Sequence, residues 1–239
     1  DLSKLTKVSQ AYAGTLENHL GFNSRYTTLT NSGTNGKTID LLLRENDETH
    51  LVDQKSPHGL LQELLAKNSH KYNALIDTGA LFEGYSNEQV AQEILSFYQR
   101  QMPKRIRGVL YFHGDQLAML KEGASQPIFI YNSDPESIKQ VTDLDPEEYF
   151  GYFDDSHTTG ANLPLYWKTK AYATISLGIT KTKMLQGVKR LRGLDKKQRV
   201  TTLIPRCIEE KIRTSIGKPL GKLDIRDVVT FCEINESEE

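Results

Sequence analysis

The stretch NALIDTGALFEGYSNEQVAQEILSFYQRQMPKRIRGVLYF, residues 73–112, decides the fold class. It opens with a short apolar run, 73–76, which is typical of a buried strand, and a turn follows at once. Ser86 is suited to cap a helix that extends to about Gln101 with apolar side chains at helical spacing. A second apolar strand is predicted at 107–112. Two strands separated by a helix indicate a parallel pair, because parallel neighbours need a crossover connection.

The same alternation continues on both sides of this unit. Further strands are predicted at 149–153, 170–177 and 199–204, a hairpin at 116–120 and 127–131, and helices at 1–20, 60–66, 180–191 and 206–215. This order predicts an α/β fold with a mostly parallel sheet covered on both faces, in which ligands bind at the carboxyl ends of the strands. We divide the chain into an N-terminal arm and linker (1–72), the α/β domain (73–217) and an acidic C-terminal tail (218–239).

The composition narrows the class of protein. The chain has 239 residues, of which 37% are hydrophobic and 26% charged, as in water-soluble globular proteins. No apolar run could span a bilayer, so we expect no membrane partner. Two cysteines, Cys207 and Cys232, form neither a disulfide framework nor a four-cysteine zinc site, which favours the reducing cytoplasm and no resident metal. The sequence begins with Asp rather than Met, so we expect further sequence upstream.

The charges are unevenly distributed although the net charge is only −1. Residues 181–199 include eight basic residues and one acid, whereas 143–155 include six acids and no base. Each stretch is either a solvated face or a partner surface. The candidate contacts to nucleic acid or to a protein partner are Asp77, Thr78, Lys181, Lys183 and Lys189.

Residues Gly33–Thr38 (GTNGKT) have the pattern of a phosphate loop. The glycines expose backbone N–H groups, Lys37 is suited to meet a phosphate, and Thr38 could hold magnesium. The full pattern requires glycine at position 31, which is Asn31. The string is also similar to the phosphate loop of Mur-type peptide ligases, so an ATP-dependent ligase and a simple surface turn both stay open.

A second stretch, YFDDSHTTGANLP at 152–164, follows a predicted strand. Asp154 and Asp155 are suited to bind magnesium or to orient a water molecule near phosphates. His157 lies between these acids and a glycine turn, where it is a candidate acid or base.

The third stretch is the predicted helix 180–191. Its apolar stripe faces the core, and steps of about 100° per residue place Gln186 and Arg190 on the opposite side. An arginine there is suited to a bidentate phosphate contact.

The order of these stretches resembles the second half of a superfamily 2 helicase. An S-G-T stretch comes first, then a T-x-G loop, then a Q-x-x-x-R-x-R helix. More closely, the chain resembles a group of large, poorly characterised helicase-like proteins. They carry an S-G-T-N stretch, a D-E-x-H-T-R-G-T-D-L-x-L-P stretch and a T-L-G-x-x-x-T-K-D-x-x-x-Q-x-x-M-R-x-R stretch. The matching strings are 32–35, 154–164 and 175–192, and the resemblance covers about residues 28–205.

The resemblance implies a RecA-like three-layer fold that contributes to nucleotide hydrolysis. The upstream RecA-like domain of the same polypeptide would complete the site, so ATP and magnesium would bind only together with that domain. Arg190 would be the arginine finger, assisted by Arg192 and Gln186. The candidate nucleotide and cleft residues are Ser32, Gly33, Thr34, Lys37, Asp154, Asp155, His157, Thr158, Gly160 and Asn162.

The sequence departs from the family pattern at two positions of the second stretch. Thr159 replaces an arginine, which removes a phosphate or base contact, and Asn162 replaces an aspartate that could orient water or bond a ribose. These losses leave open a degenerate RecA-like scaffold that binds a protein without catalysis. A hydrolase that pairs Cys207 or Cys232 with His157 is a further alternative, although neither cysteine has an activating neighbourhood in the sequence.

Overall fold

The computed structural model describes residues 35–45, 49–53, 56–68, 71–158 and 163–238. Within them the chain has a RecA-like three-layer α/β fold with an eight-stranded, mostly parallel sheet and seven helices. The helix predicted at 1–20 lies outside the described residues. None of the described helices is long and apolar enough to cross a membrane.

The strands are β1 (Thr49–Val52), β2 (Ala74–Ile76), β3 (Gly108–His113), β4 (Gln116–Lys121), β5 (Ile128–Phe129), β6 (Tyr149–Phe153), β7 (Lys170–Thr174) and β8 (Arg199–Pro205). The helices are α1 (Asn35–Glu45), α2 (Pro57–Asn68), α3 (Asn87–Gln101), α4 (Pro135–Thr142), α5 (Lys181–Val188), α6 (Arg206–Ile216) and α7 (Ile225–Glu238). The predicted strands and hairpin, and the predicted helices from residue 60 onwards, are confirmed with ends that shift by at most three residues.

The sheet order is β1-β8-β7-β2-β6-β3-β4-β5, and only the two pairs that involve β4 are antiparallel. From β2 the chain moves by way of α3 toward β3, whereas from β7 it moves by way of α5 toward β8, in the opposite direction. The strand order therefore reverses beside β2, and the crevice outside the carboxyl ends of β2 and β7 is where such sheets bind ligands.

Helix α3 shows why the predicted unit forms. The Ser86 hydroxyl accepts a hydrogen bond from Gln89 N at 3.1 Å, and the Gln89 side chain accepts one from Ser86 N at 2.8 Å. This capping box satisfies two backbone donors at the helix start. Val90, Ile94 and Phe97 are all buried, so the predicted apolar stripe is the face that packs on the sheet.

The core has one apolar cluster on each face of the sheet. Alternate residues of β2 divide between them, because Leu75 belongs to one cluster and Ala74 and Ile76 to the other. Helices α2 and α3 cover the Leu75 face, while α1, α4, α5, α6 and α7 cover the other.

The domain extends beyond the predicted range of 73–217 in both directions. Strand β1 pairs in parallel with β8, so part of the predicted arm belongs to the sheet. Helix α7 lies in the predicted acidic tail, yet its Val228 and Phe231 are fully buried. Apolar residues occur at helical spacing in this segment, but its glutamates favoured the prediction of an acidic tail. A buried core helix was therefore not predicted there.

Candidate functional site

The loop that follows β6 holds an oriented histidine. Asp155–His157 form a single 3-10 turn, and His157 Nδ1 lies 2.7 Å from Asp154 Oδ1. The imidazole stacks on Phe112 with the ring centroids 4.1 Å apart and the planes 3° from parallel. On its other side Nε2 lies 3.9 Å from the exposed Asp115 carboxylate. Because Nδ1 is held by Asp154, Nε2 is the nitrogen that can meet a ligand or a proton.

Helix α5 joins this loop to the start of α1. Lys183 Nζ lies 2.7 Å from Asp155 Oδ1, in an ion pair that is not aligned as a hydrogen bond. The Thr180 hydroxyl caps the helix by accepting from Lys183 N at 3.2 Å. Lys189 Nζ donates to Asn35 Oδ1. The stretch 180–191 therefore contacts both other stretches, through Lys183 near the start of α5 and through Lys189 just after its end.

Asp77 and Thr78, two candidate partner contacts, are both buried within the chain. Asp77 accepts hydrogen bonds from Leu81 N, Phe82 N and the Thr174 hydroxyl, at 2.9, 3.0 and 2.6 Å. The Thr78 hydroxyl donates to Thr174 O. Burial raises the pKa of Asp77, and the three donors act against that rise. These bonds fasten β2 to β7 where the strand order reverses.

Gly187 lets α5 approach the end of β2, a role that the sequence did not indicate. A Cβ atom at this position would lie 2.0 Å from Thr78 Cγ2 and 3.3 Å from Ile76 Cγ2. No side chain larger than hydrogen has room there, so the glycine sets the distance between helix and sheet.

Lys181 is neutralised by α7 rather than exposed to a partner. Its Nζ lies 3.5 Å from Glu233 and 3.6 Å from Glu236. Glu236 also accepts from Thr182 N at 3.1 Å, and Asn235 Nδ2 donates to the carbonyls of the loop before α5. All three lysines predicted to bind a partner thus have intramolecular contacts.

Arg190 does not project from the domain as the helical periodicity predicted. Only 8% of it is exposed, and its Nε donates to Gln186 O at 3.3 Å, while Gln186 itself is half-buried. Helix α5 ends at Val188 and the chain then turns, so steps of 100° no longer apply. Burial also lowers the pKa of the Arg190 guanidinium.

Arg192 is exposed but lies at the other end of the strands. The next residue, Gly193, donates from its N–H to Gln198 Oε1 at 2.7 Å, and Gln198 immediately precedes β8. The β6 loop is at the carboxyl ends of the strands. The structure therefore does not bring Arg192 to Asp154 and His157.

The phosphate-loop string is described only in part. Asn35–Thr38 lie in the first turn of α1, and Thr38 is buried. Thr158 is also buried and donates to Asp155 O at 2.8 Å. Seven residues named from the sequence lie outside the described residues: Asn31, Ser32, Gly33, Thr34, Thr159, Gly160 and Asn162.

The described residues contain neither a cluster of metal ligands nor a buried cysteine suited to act as a nucleophile. No group of three or more metal-ligating side chains occurs within it. Burial raises the pKa of Cys232 to about 12, and its Sγ packs 3.7 Å from Met184 Sδ. Cys232 therefore behaves as an apolar side chain.

Comparison of the chain with known protein families, with curated proteins and with solved structures gives no match.

Proposed function

We propose that the chain is the second RecA-like half of a helicase-like nucleotide hydrolase. On this proposal the β6 loop and helix α5 close over a nucleotide that is held mainly, with magnesium, by an upstream domain of the same polypeptide. The observation that carries the proposal is the ion pair between Lys183 and Asp155. It joins two of the stretches identified in the sequence at the edge of the sheet where ligands bind.

The contacts suggest a division of roles among the candidate residues. Arg190 is buried and Arg192 lies at the other strand end, so Lys183 is the cation best placed to face the developing phosphate charge. Asp155 keeps the ammonium group in position until a phosphate replaces it. His157, oriented by Asp154 and Phe112, presents Nε2 as a proton acceptor or donor. Arg190 holds the end of α5 in place and is a positioning residue.

We expect Lys183→Ala to reduce the ATP turnover of the complete natural polypeptide by about 100-fold, as when a donor to a developing oxyanion is removed. The melting temperature should change little, because a partly exposed ion pair contributes at most about 1 kcal/mol. Turnover is measured by phosphate release, with Lys211→Ala as the control for loss of an exposed lysine elsewhere.

Three outcomes separate the alternatives. Equal turnover in the wild type and in Lys183→Ala would remove Lys183 from the reaction. Wild-type protein that binds ATP without hydrolysing it would contradict hydrolysis. Absence of both turnover and an ATP-dependent rise in melting temperature would favour the protein-binding scaffold, because a bound ligand stabilises the native state.

A further inference from the structure

The amino ends of β7 and β8 carry a basic surface around Trp167, the only tryptophan of the chain. Its side chain is 55% exposed. Lys168 Nζ lies 4.3 Å from the centroid of the indole ring, a cation–π contact, and Tyr166 packs against the indole edge to face with centroids 5.7 Å apart. These contacts hold an aromatic ring at the surface with much of it open to solvent.

Four exposed lysines lie in the two chain segments that meet at this end of the sheet: Lys168, Lys170, Lys196 and Lys197. Within the described residues no carboxylate lies within 4.0 Å of any of their ammonium groups, whereas Lys181 and Lys183 are both ion-paired. We call these four lysines and Trp167 the Trp167 surface. It concentrates positive charge in a chain whose net charge is −1.

One side-chain and one backbone hydrogen bond hold the two loops of the Trp167 surface together. Gln198 Nε2 donates to Tyr166 O at 3.0 Å, and Arg199 N donates to Thr169 O at 3.0 Å. Lys170 lies directly opposite Arg199 in the register of β7 and β8. The Arg199 guanidinium turns back along its own loop and donates to the carbonyls of Gln198 and Lys196 at 2.8 and 3.4 Å. These hydrogen bonds hold the two segments that carry the Trp167 surface side by side.

The geometry points to single-stranded nucleic acid as the ligand of the Trp167 surface, and we propose this as a binding site separate from the nucleotide cleft. Ammonium groups are suited to the phosphate backbone, and an exposed indole is suited to stacking on a base of any sequence. A lipid surface is less suited, because among the described residues the other exposed large apolar side chains lie in different elements: Phe129, Tyr131, Val141, Leu177 and Leu220.

Because Trp167 is the only tryptophan, its fluorescence reports binding at the site itself. We expect a 20-nucleotide oligodeoxythymidine to quench this fluorescence when it is titrated into the full chain. If the four lysines meet phosphates, the logarithm of the association constant should fall with the logarithm of salt concentration with a slope of about −2 to −3.

Two variants separate the contribution of the lysine charges from that of base stacking on Trp167. Lys196→Gln with Lys197→Gln should weaken binding about tenfold and reduce the size of the salt slope by about 1.4. Trp167→Ala, followed through the anisotropy of a fluorescein-labelled oligonucleotide, should weaken binding at least about fivefold with the slope unchanged. Arg100→Gln with Lys211→Gln removes the same charge from exposed positions elsewhere and should bind as the wild type does.

The proposal is overturned if the oligonucleotide does not quench the fluorescence or if the control variant loses as much affinity as the lysine variant. Polyglutamate that competes as well as the oligonucleotide would identify an acidic protein as the ligand instead. Tighter binding of phosphatidylserine vesicles would identify a lipid surface. The oligonucleotide titration contains no ATP and does not depend on Lys183, so this test and the test of ATP hydrolysis fail independently.

Discussion

Replacing Gly187 by alanine is expected to lower the free energy of unfolding by about 1–3 kcal/mol, the usual range for overpacking a core. The new Cβ would lie 2.0 Å from Thr78 Cγ2. Thr78 is fully buried and its hydroxyl is bonded to Thr174 O, so the side chain cannot rotate away without losing that bond. Alanine is a better helix former than glycine by about 1 kcal/mol, and the clash must exceed this gain.

Thermal and urea unfolding followed by circular dichroism measure the effect, which corresponds to a fall of roughly 3–10 °C in melting temperature for a domain of this size. Gly178→Ala is the matched control, because no atom lies within 4 Å of the Cβ it would add. Thr78→Ser removes the clashing methyl group and keeps the hydroxyl. Gly187→Ala in the Thr78→Ser background should therefore cost much less than it does in the wild type.

If the two substitutions are simply additive, the contact between Gly187 and Thr78 does not determine the position of α5. If they are coupled, the helix that carries Lys183 is set against the end of β2 by this one close approach. A shift of α5 would then move Lys183 relative to Asp155, because the two are joined across separate elements. Stability and the geometry of the candidate site would depend on the same residue.

The sequence predicted those parts of the fold that depend on local signals. Helix α3 has its capping box within four residues of chain, and the strands β2 and β6 are short apolar runs. Helix α7 and strand β1 were missed because their signals are weak. The four residues of β1 belong to the sheet only through pairing with β8, which lies about 150 residues further along the chain.

The candidate site was less predictable because its contacts join distant residues. Asp77 follows a strand, a position that favours an exposed carboxylate able to contact a ligand. Its carboxylate instead accepts a hydrogen bond from the Thr174 hydroxyl, 97 residues later in the chain. The lysines of the basic stretch have the pattern of an open surface, yet Lys181 is neutralised by glutamates of α7. The predicted direction of the Arg190 side chain was wrong for a local reason. The helical step of 100° per residue was applied beyond Val188, where α5 ends.

Removing residues 225–239 is expected to unfold the domain, although the sequence predicts only an acidic tail at 218–239. The deletion removes five buried side chains: Ile225, Val228, Val229, Phe231 and Cys232. At about 1.5–3 kcal/mol for each large apolar side chain, their burial equals or exceeds half of the 5–15 kcal/mol by which domains are ordinarily stable. The cavity left beside α5 and α6 adds to the loss.

A point substitution makes the same test without changing the length of the chain. Phe231→Ala should lower the free energy of unfolding by about 3–5 kcal/mol, as measured by urea denaturation. Deleting only residues 237–239 should have almost no effect, because Ser237 and Glu238 are exposed. A chain ending at Asp224 that unfolds cooperatively at the wild-type temperature would show that α7 is not part of the core. The contacts of Asn235 with the loop before α5, and of Glu236 with the first turn of α5, would then be too weak to position the candidate site.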